Sequence, residues 1–411
     1  MAITTINFGY TYQPVYNVVW YTVTSTNTAQ DNFRYICDIY PTGASSPSFY
    51  RMKRPADPDT GNATFDVHRI LENFVTADKP DKGLNGFQKN SNSYIKYDVK
   101  FGEEYGPSSA VVAYPDLNSE VNKYAWNAAL DFQEFEPYNQ ATYILLAASP
   151  KDFLTNRPSS GVISTTEDAW LYMISRTSGT IDYMQIETYD SNGASLGIWK
   201  VDNPEKAFPT DAGRFLRFDA GPNNLNEIAG VFQQGSAPII DTTNAKKYYL
   251  QAFNASGLAA SNPHWFTIDD GCTPHTPVRL HFLNKLGGFD SFTFSRLNKR
   301  RSTNEKKTYR KALGTESGGN WGYNIDDRRD TTYNVEASDV FTANSDWVTP
   351  AEMDWLEELV ESPEVYYDDG TNLIAVNIIT ATWEQHKREN TPLANLIIEY
   401  KYSYERKRQR G

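Results

Sequence analysis

The stretch "VRLHFLNKLGGFDSFTFSR" (Val278–Arg296) poses the choice on which the fold turns. A glycine pair, Gly287-Gly288, divides two apolar-rich runs, and a cationic segment follows. A phosphate-cradling loop would need a GxGxxG or GxxxxGK[ST] pattern opening a helix, and neither pattern is present. Val278, Leu280 and Phe282 alternate with Arg279 and His281 before the glycines. Phe292, Phe294 and Arg296 alternate with Ser291, Thr293 and Ser295 after them. A period of two on both sides predicts a β-hairpin, with glycine supplying the positive φ of its turn.

The same period recurs along the chain. In "FRYICDIY" (Phe33–Tyr40), Phe33, Tyr35, Cys37 and Ile39 share one face and Arg34, Ile36, Asp38 and Tyr40 the other. In "YIKYDVKFG", Ile95, Tyr97, Val99 and Phe101 oppose Lys96, Asp98 and Lys100. "PVYNVVWYTV" (Pro14–Val23) reads as one strand entered through proline. Only "FDVHRILENFV" breaks the alternation here. Val67, Ile70, Leu71 and Phe74 fall at helical spacing, with Asp66 placed to cap. Further strands are predicted at "ATYILLAAS", "AWLYMISR", "IDYMQIETY", "LGIWKV", "RFLRFDA" and "KYYLQAF". Asp190-Ser-Asn-Gly193 marks a hairpin turn. Near the C-terminus, Thr349, Pro350 and Glu352 form a helix-start signature, and Ser362-Pro363 ends that helix. A turn at Asp368-Asp369-Gly370 and the strands "LIAVNIITATW" and "LANLIIEYKYSYERK" follow.

These elements predict a mainly β protein: two successive β-sandwich domains of immunoglobulin or fibronectin-III type, then an α+β domain. The expected boundaries are 1–115, 116–271 and 272–411. At 411 residues each part can bury a core. Aromatic residues make up 14% of the chain, which suits pleated, half-buried surfaces and interfaces.

The net charge of −12 argues against a general nucleic-acid binder, so nucleic acid is not an expected partner. The opening "MAITTINFGYTYQP" has no secretory leader pattern, and no run nears ~20 apolar residues, so no membrane association is expected. The two cysteines, Cys37 and Cys272, are far apart in sequence; a disulfide between them stays open, and two buried free thiols are the plainer expectation.

Candidate chemistry is sparse. Cys272-Thr-Pro-His275, with His264 and His281 nearby, is the best metal candidate, yet it lacks a second ligand half-motif. Asp57-Pro-Asp59-Thr-Gly61 starts like a calcium loop and lacks the later ligands, so a polar turn is expected. The pairs Glu103-Glu104, Asp326-Asp327 and Glu357-Glu358 are adjacent carboxylates that point apart on a strand or helix. No GxSxG occurs. The expectation is a non-catalytic protein without metal or cofactor.

The cationic segment is the remaining feature. "KRRSTNEKKTYRK" (Lys299–Lys311) holds seven basic residues and one acidic, and is expected as a solvated loop or β-extension. Its Lys299, Arg300, Arg301, Lys306, Lys307, Arg310 and Lys311, with Arg406, Lys407, Arg408 and Arg410 at the C-terminus, are the candidate interface residues. In an acidic chain such asymmetry suits head-to-tail self-association or an acidic partner.

The segments "YNVVWYTVTSTNTAQDNFRYICDIY", "FDVHRILENFV" and "YIKYDVKFGEEYG", with "VRLHFLNKLGGFDSFTFSR" and "LIIEYKYSYERKRQR", cover about half of the chain. In texture they resemble structural proteins of tailed bacteriophages of Bacteroidetes, including crAss-like phages. The resemblance implies β-sandwich modules in a ring, neck, tail or baseplate, a homo-oligomer touching other tail or neck proteins, and a place in the virion after assembly in the host cytoplasm. It supplies no catalytic residues. The alternative is a carbohydrate- or receptor-binding β-sandwich protein using an exposed Trp170, Trp199 or Trp265. A glycan-cleaving enzyme is a weaker third reading, since it needs two facing carboxylates.

Overall fold

The computed structural model describes residues 3–7, 9–41, 50–159, 161–208, 211–229, 232–234, 238–269, 271, 274–380 and 394–404. The protein is mainly β. It divides into two compact units, one of residues 1–270 with 283–290 and one of residues 271–282 with 291–411.

The first unit holds two cores, each between a pair of sheets. A three-stranded sheet (order Ile3–Asn7, Trp20–Ser25, Ala63–Asp66) faces a five-stranded one. The latter runs Tyr12–Pro14, Val112–Trp126, Tyr94–Tyr105, Arg34–Pro41, Tyr50–Arg54. Tyr21, Val23 and Phe65 from the small sheet meet Tyr35, Cys37, Ile39, Tyr97, Val99 and Phe101 from the large one, as the alternation predicts. Ile36 and Asp38, expected on an open face, are also buried. Their strand is flanked on both sides, and Arg51 lies over Asp38 in a bidentate pair at 2.7 and 2.6 Å.

Three local expectations need correction. "PVYNVVWYTV" is not one strand. Tyr12–Pro14 runs parallel to Val112–Trp126, whereas Trp20–Ser25 lies in the opposite sheet. The crossing is pinned by Asn17, whose side chain both donates to the Leu130 carbonyl and accepts from its amide at 2.8 Å. The helix of "FDVHRILENFV" is one turn, His68–Leu71, followed by a 3-10 turn. Its N-cap is Val67; Asp66 stays in its strand and accepts from the amides of Val19 and His68. In "ATYILLAAS" only Ile144–Leu145 is strand, after a 3-10 turn over Gln140–Thr142.

The expected boundary at 115/116 falls inside Val112–Trp126, which stays paired with Tyr94–Tyr105 to its end. The first sheet pair therefore extends to Trp126. Phe87–Lys89, from the same N-terminal region, pairs with Phe215–Asp219 in the second sheet pair. That pair comprises a four-stranded sheet (Ile144–Leu145, Trp170–Ser175, Phe215–Asp219, Phe87–Lys89) and a six-stranded one. The six-stranded order is Val162–Ile163, His264–Ile268, Lys247–Phe253, Tyr183–Tyr189, Ser195–Asp202, Phe232–Gln234. Leu171, Met173, Leu216 and Phe218 pack against Met184, Ile186, Tyr248, Leu250 and Phe266 between them.

The second unit is built on a seven-stranded sheet. Its order is Phe289–Phe294, Val278–Leu283, Val365–Asp368, Leu373–Ile378, Ala394–Tyr402, Asp330–Val348, Lys299–Arg310. The helix Pro350–Glu361 starts where expected. Thr349 Oγ1 accepts from the Glu352 amide, and the Glu352 carboxylate accepts from the Thr349 amide at 2.8 Å. Its Met353, Trp355, Leu356 and Leu359 pack on Leu280, Phe282, Phe294 and Ile398.

The Val278–Arg296 stretch is a hairpin, and its turn is occupied by protein. Gly287 has φ +85°. Asn284 Oδ1 accepts from the amides of Leu286 and Gly288, so the turn's own donors are spent. The turn residues 283–290 belong to the first unit, where Asn284 donates to the Leu154 carbonyl and Trp126 Nε1 donates to that of Leu286. A Cβ on Gly287 would lie 2.1 Å from the Asn127 carbonyl oxygen. The glycine is needed for close packing as well as for φ.

Candidate functional site: a cationic hairpin arm

Lys299–Arg310 forms a β-extension. It pairs antiparallel with Asp330–Val348 from Lys299↔Thr342 to Arg310↔Asp330. Ala394–Tyr402 supports Asp330–Val348 only from Phe341 to Val348. Residues 301–310 and 330–340 therefore make a two-stranded ribbon, ten residues or ~30 Å long at a strand's rise per residue. Every residue of Lys299–Arg310 is exposed.

Cross-strand ion pairs line the ribbon, whose strands are joined by the backbone ladder. Arg300 pairs with Asp339 at 2.8 Å, Lys307 with Glu336 at 3.0 Å and Arg310 with Asp330 at 3.0 Å. Glu305 stands directly opposite Glu336, an unfavourable like-charge pair that the Lys307 contact offsets. The Lys307 hydrogen bond to Glu336 raises the lysine's pKa and lowers the glutamate's. Of the cations expected at an interface, three are thus engaged within the arm. Lys299, Arg301, Lys306 and Lys311 make no ion pair among the described residues. Arg406, Lys407, Arg408 and Arg410 lie outside the described residues.

Between the ribbon's strands sits a second hairpin, Thr315–Ser317 with Asn320–Gly322. Gly318 and Gly319 both have positive φ, as a two-residue primed turn requires. The glycine pair in "ESGGN" signals it, but its polar strands lack the apolar alternation that marks a buried face. Trp321 donates from Nε1 to the Leu313 carbonyl, and the residue is 61% exposed. Tyr323 is 69% exposed and Ile325 wholly so, with Tyr309 and Tyr333 beside each other at 6.1 Å on the ribbon below. Five large apolar side chains thus lie exposed along a hydrophilic arm, of which the charge pattern pointed only to Tyr309.

The other candidates resolve otherwise. Trp170 and Trp199 are buried, which removes them as exposed binding rings; Trp265 is half-buried on the outer face of the six-stranded sheet. His264 is buried against Phe266 and Phe153, and burial, with Arg157 nearby, lowers its pKa to about 3. His281 pairs with Asp368 at 3.2 Å in the second unit. Cys272 lies outside the described residues, among which no group of three metal-ligating side chains occurs. Asp57 Oδ1 accepts from the amides of Asp59 and Thr60 and from the Thr60 hydroxyl, closing a polar turn. Glu103 binds Ser25 and Asn27 whereas Glu104 binds Lys53, so this pair does point apart. Among the described residues no helix is long and apolar enough to cross a membrane.

No protein-family model and no curated protein matches the sequence.

Proposed function

We propose that this protein is a non-catalytic structural subunit of a homo-oligomeric assembly, joined to its neighbours by the cationic arm. The setting we propose is the ring, neck, tail or baseplate of a tailed bacteriophage, where the subunit also meets other virion proteins. In this reading the two sheet pairs are immunoglobulin-like modules, and the second unit is the α+β domain that presents the arm. The observation that carries the reading is the arm itself: a long ribbon without a third strand among the described residues, ending in exposed Trp321, Tyr323 and Ile325. Isolated two-stranded ribbons are marginal in water, so an arm of this length gains most of its order from a partner.

Charge favours a second copy as that partner. Residues 299–311 carry a net +6 and the whole arm, residues 299–340, a net +2 within a chain of net −12, so the residues outside the arm sum to −14. Opposite charge on two parts of one chain suits a head-to-tail contact, the kind that closes rings. Exposed lysines along the ribbon's outer edge also discourage two arms from pairing edge to edge, which leaves an acidic surface as the favoured counterpart.

Light scattering on the full chain and on a variant with residues 302–339 replaced by a short turn tests this. The full chain should form a defined multimer of its 46.6 kDa subunit, and the variant a folded monomer. Equal masses for the two would reject the arm as the connector.

A further inference from the structure

The outer face of the six-stranded sheet carries an ordered pattern that the arm does not use. Cross-strand register sets out four rows. The first places Thr267, Lys247 and Tyr189 side by side, the second Trp265, Tyr249 and Glu187. The third places Gln251, Gln185 and Lys200 together, the fourth Phe253, Tyr183 and Asp202. The inner face of the same strands is core, with Met184, Ile186, Tyr248 and Leu250 fully buried. Every residue of the outer grid is half-buried or exposed.

The rings form two platforms. Trp265 lies 4.9 Å from Tyr249 and 5.6 Å from Tyr189. Phe253 and Tyr183 lie 5.5 Å apart with planes within 8°. Tyr249 and Phe253 are four residues apart on one strand, so the platforms are ~13 Å apart. The row of Gln251, Gln185 and Lys200 runs between them. Gln251 donates its amide to the Ser261 carbonyl and Gln185 to the Tyr249 hydroxyl, while no described residue donates to either side-chain carbonyl. Lys247 caps one platform at 5.4 Å from the Tyr189 ring, and Lys200 the other at 4.7 Å from Tyr183.

Cross-strand aromatic pairs stabilise a sheet in their own right. The amide row and the balance of charge go further. Lys200 and Lys247 are matched by Glu187 and Asp202, so the face is neutral overall. The core of a protein-binding surface is depleted of such charged groups. A pyranose ring has the complementary chemistry: its C–H face packs on an aromatic face, and its hydroxyls both donate and accept hydrogen bonds.

We propose that this face binds a neutral polysaccharide, with sugar rings seated on Trp265/Tyr249 and on Tyr183/Phe253 and hydroxyls engaged by Gln185, Gln251 and Glu187. The proposal does not depend on the arm.

Affinity gel electrophoresis of the full chain in β-1,3-glucan, β-1,4-glucan, galactomannan, α-glucan and polygalacturonate tests it. At least one neutral polysaccharide should retard the protein more than polygalacturonate does. Trp265→Ala and Tyr183→Ala should each weaken retardation about ten-fold. Trp265→Phe should retain part of it. Gln185→Ala should weaken it several-fold without moving the thermal melt, and Leu196→Ala, off the grid, should leave it unchanged. Absence of retardation in every neutral gel, stronger binding to polygalacturonate, or undiminished binding by a Trp265→Ala/Tyr183→Ala double variant would overturn the proposal.

Discussion

His264 and Asp219 sit in the same part of the first unit and pull stability in opposite directions with pH. Burial, with Arg157 nearby, lowers the His264 pKa to about 3. The folded protein therefore binds fewer protons there than the unfolded chain, so this histidine's contribution is intact above about pH 6.5 and is lost as pH falls toward 3. Asp219 is fully buried, its Oδ2 accepting from the Gly86 amide at 2.6 Å and its Oδ1 from Asn224. Burial raises its pKa to about 7, against the Gly86 hydrogen bond that lowers it. Its contribution is intact below about pH 4 and is lost as pH rises to 7. Between pH 4 and 6.5 the two slopes, each at most about 1.4 kcal/mol per pH unit, oppose one another. Thermal melts across pH 4–7 should show His264→Phe losing stability as pH rises and Asp219→Asn losing it as pH falls. Profiles parallel to that of the unaltered protein would show that neither group changes its protonation on folding.

At the scale of the element, the hairpin Val278–Arg296 shows what sequence pattern conveys and what it omits. Period two and a glycine pair were enough to read two strands and a turn, because both signals are local. That the turn packs against Asn127 and Leu154 was not legible, since contact across more than a hundred residues leaves no periodic trace. Alanine at Gly287 should therefore cost more than the left-handed backbone term of about 1–2 kcal/mol. Gly257 is the control, with φ +77° and open space around it. Urea unfolding should show Gly287→Ala losing clearly more than Gly257→Ala, and equal losses would contradict the packing argument. The capping box at Thr349 was legible for the same reason of locality. The break in "PVYNVVWYTV" was not, because its cause is Asn17 reaching Leu130. In the arm, the charge pattern exposed Lys299–Lys311, whereas Trp321, Tyr323 and Ile325 follow no period that propensity reads.

At the scale of the whole molecule, the proposed subunit divides its roles between body and arm. In the proposed assembly the two paired-sheet cores and the helix-backed sheet form the body of the subunit, and the arm is the part that reaches a neighbour. The unengaged cations Lys299, Arg301, Lys306 and Lys311 should act between subunits, whereas Arg300, Lys307 and Arg310 are held within the ribbon. Reversing the first set therefore changes the long-range attraction and leaves the cross-strand pairs in place. Such an attraction is screened over about 8 Å at physiological salt, so it should weaken as salt rises. The most direct measurement is the mass of the full chain at low and high salt, with and without Lys299→Glu, Arg301→Glu, Lys306→Glu and Lys311→Glu together. The expected result is a multimer that dissociates in high salt, and a variant that stays monomeric at low salt with an unchanged thermal melt. A full chain that is monomeric under both conditions, or a variant that assembles as the unaltered protein does, would contradict the account.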